Sequence, residues 1–435
     1  MNFSLFSPNI IVFFSVLSTC SLTFIVSRIK LKLLPKQLTI TVIAGIVLSL
    51  LLEGCIHLAY PTDKLPSALW LMIFPFTFSV TMIFAVIKHK LRWLKWQALG
   101  TAIFCLPFSL LLINNFYRFY PTSYSVFSIK ERDMAKNSQP TTVLFSDVAT
   151  SRKATTIESS LYNHTDTLKG QVLSISIPGT LSNFKAREGR LYLPAIYSGA
   201  GKINLPVIIM MAGYPGLPEN WVDTGLAVTM DEFAVLHHGI TPIVFMIDNT
   251  GSVTNDTECV DSPRGNVETY LTKDVPSYIK AHYEVATDPA NWAIGGLSLG
   301  GMCSVMLTLR HPDVFHYFMD FGGETGPEIG SKQKTIQQLF KGSEQEWTAH
   351  QPLSILKTRK YPGLGGYIVT AKSDGRDLVD GLRTLTQASK DAGIETVYEE
   401  LGGQHTFGVW QQSYKDALPW VSNRLGTTEC LTTCN

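Results

Sequence analysis

Apolar positions along this chain fall into two regimes. Up to about Tyr120 they form four long runs, at residues 8–27, 37–60, 65–87 and 97–117. The first carries no charge, and the second carries only Glu53 and His57. A membrane-crossing helix needs about 20 apolar residues, so the pattern predicts four transmembrane helices over residues 1–120. A cleaved signal peptide fits the first run less well, because its positive charges follow the apolar stretch instead of preceding it. After Tyr120 the pattern breaks. Residues 121–167 are rich in Ser, Thr, Lys and Asn without periodicity, which predicts a linker.

From residue 168 short apolar runs alternate with amphipathic stretches. Strands are expected at 171–177, 190–193, within 205–216, at 241–248, entering "NWAIGGLSLGG", at 317–324, at 365–374 and at 396–401. Helices are expected at 267–283, 302–310, 378–392 and 410–425. Continuous apolar runs such as "PVIIMM" and "PIVFMI" suit strands buried on both faces. Strand–helix alternation predicts an α/β domain over 168–426 with a mostly parallel sheet covered on both sides, followed by a tail at 427–435.

Charge placement orients the apolar half. Arg28, Lys30, Lys32 and Lys36 crowd the first connection, and Lys88, Lys90, Arg92 and Lys95 the third, whereas the second has only Lys64. By the positive-inside rule the first and third connections are cytoplasmic. Both termini, and the whole α/β domain, are then expected on the extracellular side of a multi-pass protein. A net charge of +1 with 16% charged residues speaks against a nucleic-acid binder. Cys20, Cys55 and Cys105 fall in the apolar runs, while Cys259, Cys303, Cys430 and Cys434 lie in the rest. Of the three pairings open to those four we favour Cys259–Cys303, with Cys430 and Cys434 either paired in the tail or free; four free thiols are the other reading.

The chemistry centres on Gly296-Leu297-Ser298-Leu299-Gly300. A serine nucleophile must be presented sharply between strand and helix, and the residues two before and two after must be small because backbones approach closely there. Gly296 and Gly300 meet that need, with Gly295 and Gly301 adding room. The general base should follow the last strand. His57 and His89 lie in the apolar region and His164 in the linker, and His237, His238, His282, His311, His316 and His350 all precede the acid's strand. Only His405 fits the order serine, acid, histidine. For the acid we favour Asp374, directly off its strand, over the runner-up Asp377, which sits where a carboxylate also serves as a helix-start charge. The oxyanion donors expected are the backbone N–H groups of Leu299 and of Tyr214 in "MMAGYPG".

These stretches, with "ETYLTKDVPSYIKAHYEV" and "GGQHTFGVW", carry a resemblance. Residues 171–425 resemble the esterase-D-like α/β-hydrolases and, within them, the secreted mycolyltransferases. The resemblance implies an α/β-hydrolase fold, Ser298 as nucleophile, His405 as base, and Tyr214 with Leu299 at the oxyanion. Position 374 matches the aspartate of the esterase-D-like and feruloyl esterases, and position 377 the glutamate of the mycolyltransferases. The latter carry a basic residue after the oxyanion turn, where this chain has Pro215.

Other features add less. Glu53 and His57 share a face of the second run and read as an interfacial or packing pair. His237 and His238 near Asp231 are poorly spaced for a metal and read as an ordinary helix end. Trp221 and Tyr214 suit an acyl groove or the core equally. The expectation is a membrane-anchored extracellular serine esterase or acyltransferase, without cofactor or metal, acting on a lipid or glycolipid ester. The alternative is an idle hydrolase domain used as an envelope-binding scaffold.

Overall fold

The computed structural model describes residues 12–18, 20, 34–59, 69–87, 92–117, 169–199, 204–237 and 239–427. The chain divides into two compact units, Met1–Lys136 and Asn137–Asn435. The first holds three apolar helices, α1 (Leu34–Ala59), α2 (Leu69–Ile87) and α3 (Arg92–Tyr117). Residues 12–18 of the first expected run are also helical. Among the described residues only Trp96–Asn115 is long and apolar enough by itself to cross a membrane; Thr39–Cys55 and Leu69–Phe84 are shorter apolar helices.

This unit buries hydroxyls beside Leu69, Ile73, Met82 and Leu111, and turns many large apolar side chains outward. Ser49, Thr77, Ser79, Thr101 and Ser109 are buried, whereas Ile40, Ile43, Leu51, Phe84, Ile103 and Leu110 are exposed. Ser49 Oγ and Thr77 Oγ1 meet at 2.6 Å between α1 and α2. Ser109 Oγ on α3 accepts from Phe76 N at 3.3 Å, beside the helix-interior Pro75. Thr81 Oγ1 donates to Thr41 O. Hydroxyls that satisfy neighbouring helices, with small residues such as Gly45 at the crossing, are how helices associate when burying apolar surface offers no gain. Glu53 is half-buried. The side chain of His57, the expected linker, and Cys430 and Cys434 lie outside the described residues.

The second unit is an eight-stranded sheet. Its strands are β1 (Gln171–Ile175), β2 (Gly189–Leu193), β3 (Val207–Met211), β4 (Ile243–Ile247), β5 (Trp292–Leu297), β6 (Tyr317–Phe321), β7 (Gly365–Ala371) and β8 (Glu395–Leu401). They lie in the order β1-β2-β4-β3-β5-β6-β7-β8. The β1–β2 and β2–β4 pairings are antiparallel, and the rest are parallel. Every residue of β3, β4, β5 and β7 is buried, which explains their unbroken apolar sequence. The main helices are α4 (Leu226–Leu236), α5 (Val275–His282), α6 (Leu299–Arg310), α7 (Arg376–Asp391) and α8 (Phe407–Arg424).

Strand order reverses at β3, with β4 on one side and β5 on the other. In open parallel sheets the crevice at that reversal, beyond the carboxyl ends of the strands, is where ligands bind. The helix expected at 267–283 is broken by a π turn at Tyr270–Asp274 before α5 begins. Three short helices, Lys332–Leu339, Glu344–Ala349 and Pro352–Thr358, were not expected from the pattern. Cys259 and Cys303 form a disulfide that ties the loop after β4 to α6.

Candidate active site

Ser298 is the single residue between β5 and α6, with φ 51° and ψ −120°. A non-glycine residue in that half of the map is strained and persists only where its surroundings hold it. They do so here. Ser298 N donates to Phe321 O at 2.9 Å, and Ser298 O accepts from Gly301 N and Met302 N. A methyl group on Gly296 would lie 2.5 Å from the Gly300 carbonyl carbon, and one on Gly300 would lie 2.6 Å from Met211 O. Only glycine permits those approaches, so the sequence pattern around the serine is a packing requirement.

His405 sits in the loop between β8 and α8. Its Nε2 lies 3.0 Å from Ser298 Oγ. The ring stands edge-on to Trp410, with centroids 4.9 Å apart, and lies against Gly322, where a methyl group would come within 3.2 Å of Cε1. On the other side His405 Nδ1 lies 3.5 Å from Asp374 Oδ2. That separation exceeds a normal N–H···O bond, as such contacts often do before substrate binds.

Asp374 is buried just past β7 because the chain turns there, with Asp374 N donating to Ala371 O at 3.0 Å. Its Oδ2 also faces Thr370 Oγ1 and Ala371 N, each at 3.3 Å. The acid turn is joined to the histidine loop by Ser373 N donating to Gly403 O and Lys372 N to Leu401 O. Asp377 is exposed, in the first turn of α7. Of the two acid candidates, then, only Asp374 is within reach of the histidine.

The turn after β3 abuts the nucleophile. A methyl group on Gly213 would lie 3.1 Å from Ser298 Cβ, and Tyr214 follows at once, half-buried. Leu299 N is the first amide of α6, among the donors a helix leaves without an intrahelical partner. Trp221 belongs to the core and not to a groove. It is fully buried, donates Nε1 to Met211 O, and packs on Phe321 and Tyr414. Asp231 accepts from Gly170 N and Tyr192 Oη, and His237 stacks on Phe233; His238 lies outside the described residues.

Several buried polar groups around the site escaped the sequence reading. Asp320 is the penultimate residue of β6, beside Gly301 and fully buried, with Oδ1 accepting from Gly323 N at 2.7 Å. Burial pushes its carboxyl up to about 7. Glu258, adjacent to the disulfide, has φ 51° and is raised well above the carboxylate range by burial and by the neighbouring Asp256. At the far end of α6, Glu268 binds Arg310, His311 and His350. A charged residue inside an otherwise apolar strand was the one available signal for Asp320.

Residues 185–421 match the Esterase family, described as "Putative esterase". An uncharacterized protein of Corynebacterium glutamicum is 34% identical over 328 residues, covering 72% of this chain and 73% of its own. The diacylglycerol acyltransferase/mycolyltransferase Ag85A of Mycobacterium leprae is 25% identical over 195 residues, 37% of this chain and 57% of that protein. Among solved structures, an S-formylglutathione hydrolase from Agrobacterium tumefaciens superposes with a TM-score of 0.50 at 19% identity, covering 60% of this chain and 97% of that one. That likeness concerns the fold, a mostly parallel sheet with helices, consistent with an α/β-hydrolase.

Proposed function

The chain belongs to the Esterase family, and from that premise we propose that it is a membrane-anchored serine esterase or acyltransferase whose site faces the extracellular side. Ser298 Oγ attacks the ester carbonyl carbon while His405 Nε2 takes its proton. The carbonyl oxygen becomes an oxyanion received by the N–H groups of Leu299 and Tyr214. Collapse breaks the ester bond, and His405 returns the proton to the departing alcohol. Water or an acceptor alcohol then attacks the acyl-enzyme by the same steps in reverse. Asp374 holds the His405 tautomer and steadies its positive charge.

The observation that carries this reading is the 3.0 Å approach of His405 Nε2 to a serine held at φ 51°. Membrane anchoring by four helices over residues 1–120 is supported by the apolar exterior and buried hydroxyls of α1–α3, and the orientation by the lysines and arginines of the first and third connections. A lipid or sugar ester of the cell envelope is the substrate class we favour, because the site is tethered to a bilayer and a relative is named an acyltransferase of diacylglycerol.

Hydrolysis of a short-chain p-nitrophenyl ester by the full chain in detergent tests the assignment. Ser298→Ala is expected to abolish turnover, and Asp374→Asn to lower kcat about 10⁴-fold. Asp377→Asn is expected to leave it unchanged. Turnover that survives Ser298→Ala, or that depends on Asp377 and not on Asp374, contradicts the assignment.

A further inference from the structure

The turn that bears Tyr214 is gripped at both ends by side chains from elsewhere. On its entry side Ala212 O accepts from Asn249 Nδ2 at 3.2 Å. On its exit side Gly216 O accepts from Arg187 Nη2 at 3.0 Å. Asn249 is buried to 1% exposure and so is Ala212; a carbonyl in that position left without its donor is strongly disfavoured. Arg187 is fixed in turn by Asp248, whose Oδ1 meets Nη2 at 2.6 Å and whose Oδ2 accepts from Arg187 N at 2.7 Å. Thr250 Oγ1 takes a further bond from Nη2.

One grip, Asn249, belongs to the start of the loop after β4; the other, Arg187, lies just before β2 and is held by Asp248 and Thr250 at that same start. The same loop also reaches the other side of the site. Thr257 Oγ1 donates to Asn249 O at 2.6 Å. Two residues on, Cys259 is bonded to Cys303, in the second turn of α6. Asn249 Nδ2 lies 3.8 Å from Cys259 Sγ. The carbonyl that Asn249 holds is also one against which the nucleophile turn packs, since a methyl group on Gly300 would lie 2.8 Å from Ala212 O. One loop therefore contacts the segments carrying both expected oxyanion donors, Tyr214 N through Asn249 and Arg187, and Leu299 N through the disulfide to α6.

We propose that Asn249 and Arg187 are positioning residues for acyl transfer, clamping the Gly213-Tyr214-Pro215 turn so that Tyr214 N–H points at the forming oxyanion. The inference rests on the serine-esterase reading above. An oxyanion donor works only when it is held ready at the place where charge develops, and a turn with unanchored carbonyls can rotate its peptide planes. The clamp touches neither substrate nor nucleophile. Its loss should therefore weaken binding of the tetrahedral state and leave binding of the ground-state ester alone.

The test uses the full chain in detergent, with kcat per active site counted by fluorophosphonate titration. A short-chain trifluoromethyl ketone, which forms a tetrahedral adduct on serine, serves as the probe. Asn249→Ala is expected to lower kcat roughly tenfold, less than removal of a donor itself. KM for the ester should stay unchanged, and Ki for the ketone should rise by the factor that kcat/KM falls. Asn249→Leu, which fills the space without a donor, should do the same if the alanine variant does not fold. Arg187→Lys should recover part of the kcat that Arg187→Ala loses. Variants with full kcat per active site and unchanged ketone affinity, whatever their thermal stability, overturn the clamp alone. A wild type that neither turns over ester nor takes the fluorophosphonate overturns the esterase reading beneath it.

Discussion

The two ends of α6 each meet a buried carboxyl group, and the protein treats them in opposite ways. At the carboxyl end Glu268 accepts from Arg310 Nε and His311 Nε2 at 2.7 Å and from His350 Nε2 at 3.0 Å. Burial pushes its carboxyl up, but the bonds from His311, His350 and Arg310 outweigh that, and it is held well below the ordinary carboxylate range. At the amino end, near Ser298, Asp320 accepts from Gly323 N through Oδ1, its Oδ2 has no hydrogen-bond partner among the described residues, and burial raises its carboxyl to about 7. The difference lies in the donors each receives, because both are buried. An ionised carboxylate is stable inside only when several charge-assisted bonds replace its water. The far end of α6 is thus locked by charge, while at its amino end, near Ser298, Asp320 stays protonated in acid.

The comparison breaks first at Glu268. Glu268→Ala leaves Arg310, His311 and His350 without their shared acceptor and is expected to destabilise the second unit by about 3–5 kcal/mol. Hydrogen exchange of the buried α6 amides in the intact chain reads this directly. Because its folded pKa is depressed, the Glu268 contribution is present above its unfolded value near 4.5 and is lost as pH falls below it. A loss that stays the same well into acid would contradict the charged lock.

Asp320 gives an effect of the opposite sign. Its folded pKa is raised, so the native state holds a proton that the unfolded state releases near 3.8. Wild-type stability should therefore fall as pH rises from about 4 to about 7 and level off above. Asp320→Asn keeps the shape and removes the titration. Its stability relative to wild type should grow across that window by an amount on the order of 4 kcal/mol. The same α6 amides followed across pH check it, and a pH-independent difference would count against a neutral Asp320.

How much of this was readable beforehand depended on sequence distance. The strand–turn–helix at Ser298 was legible because apolar run, glycines and serine are contiguous, and each glycine answers a local contact. His405 was legible from chain order alone. Strands β3 and β4 announced themselves as unbroken apolar runs. The sequence favours Asp374 over Asp377 because it comes directly off its strand; the turn at Ala371–Asp374 buries Asp374 within reach of His405 and leaves Asp377 exposed. The Glu268 cluster joins positions 42 to 82 residues apart, and the Asn249 and Arg187 grips span 37 and 29, so no periodicity marks them. The helices between Lys332 and Thr358 carry too few apolar positions to stand out. The apolar half was legible as membrane-like in composition, and the hydroxyls buried between its helices became visible only when helices were set side by side.

The most direct test of the account is to find the acyl group. Wild-type chain mixed with a short-chain p-nitrophenyl ester and quenched in acid before the steady state should carry one added acyl group, and peptide mass spectrometry should locate it on Ser298. Ester turnover with the Ser298 peptide unmodified, or with the acyl group on another residue, would contradict it.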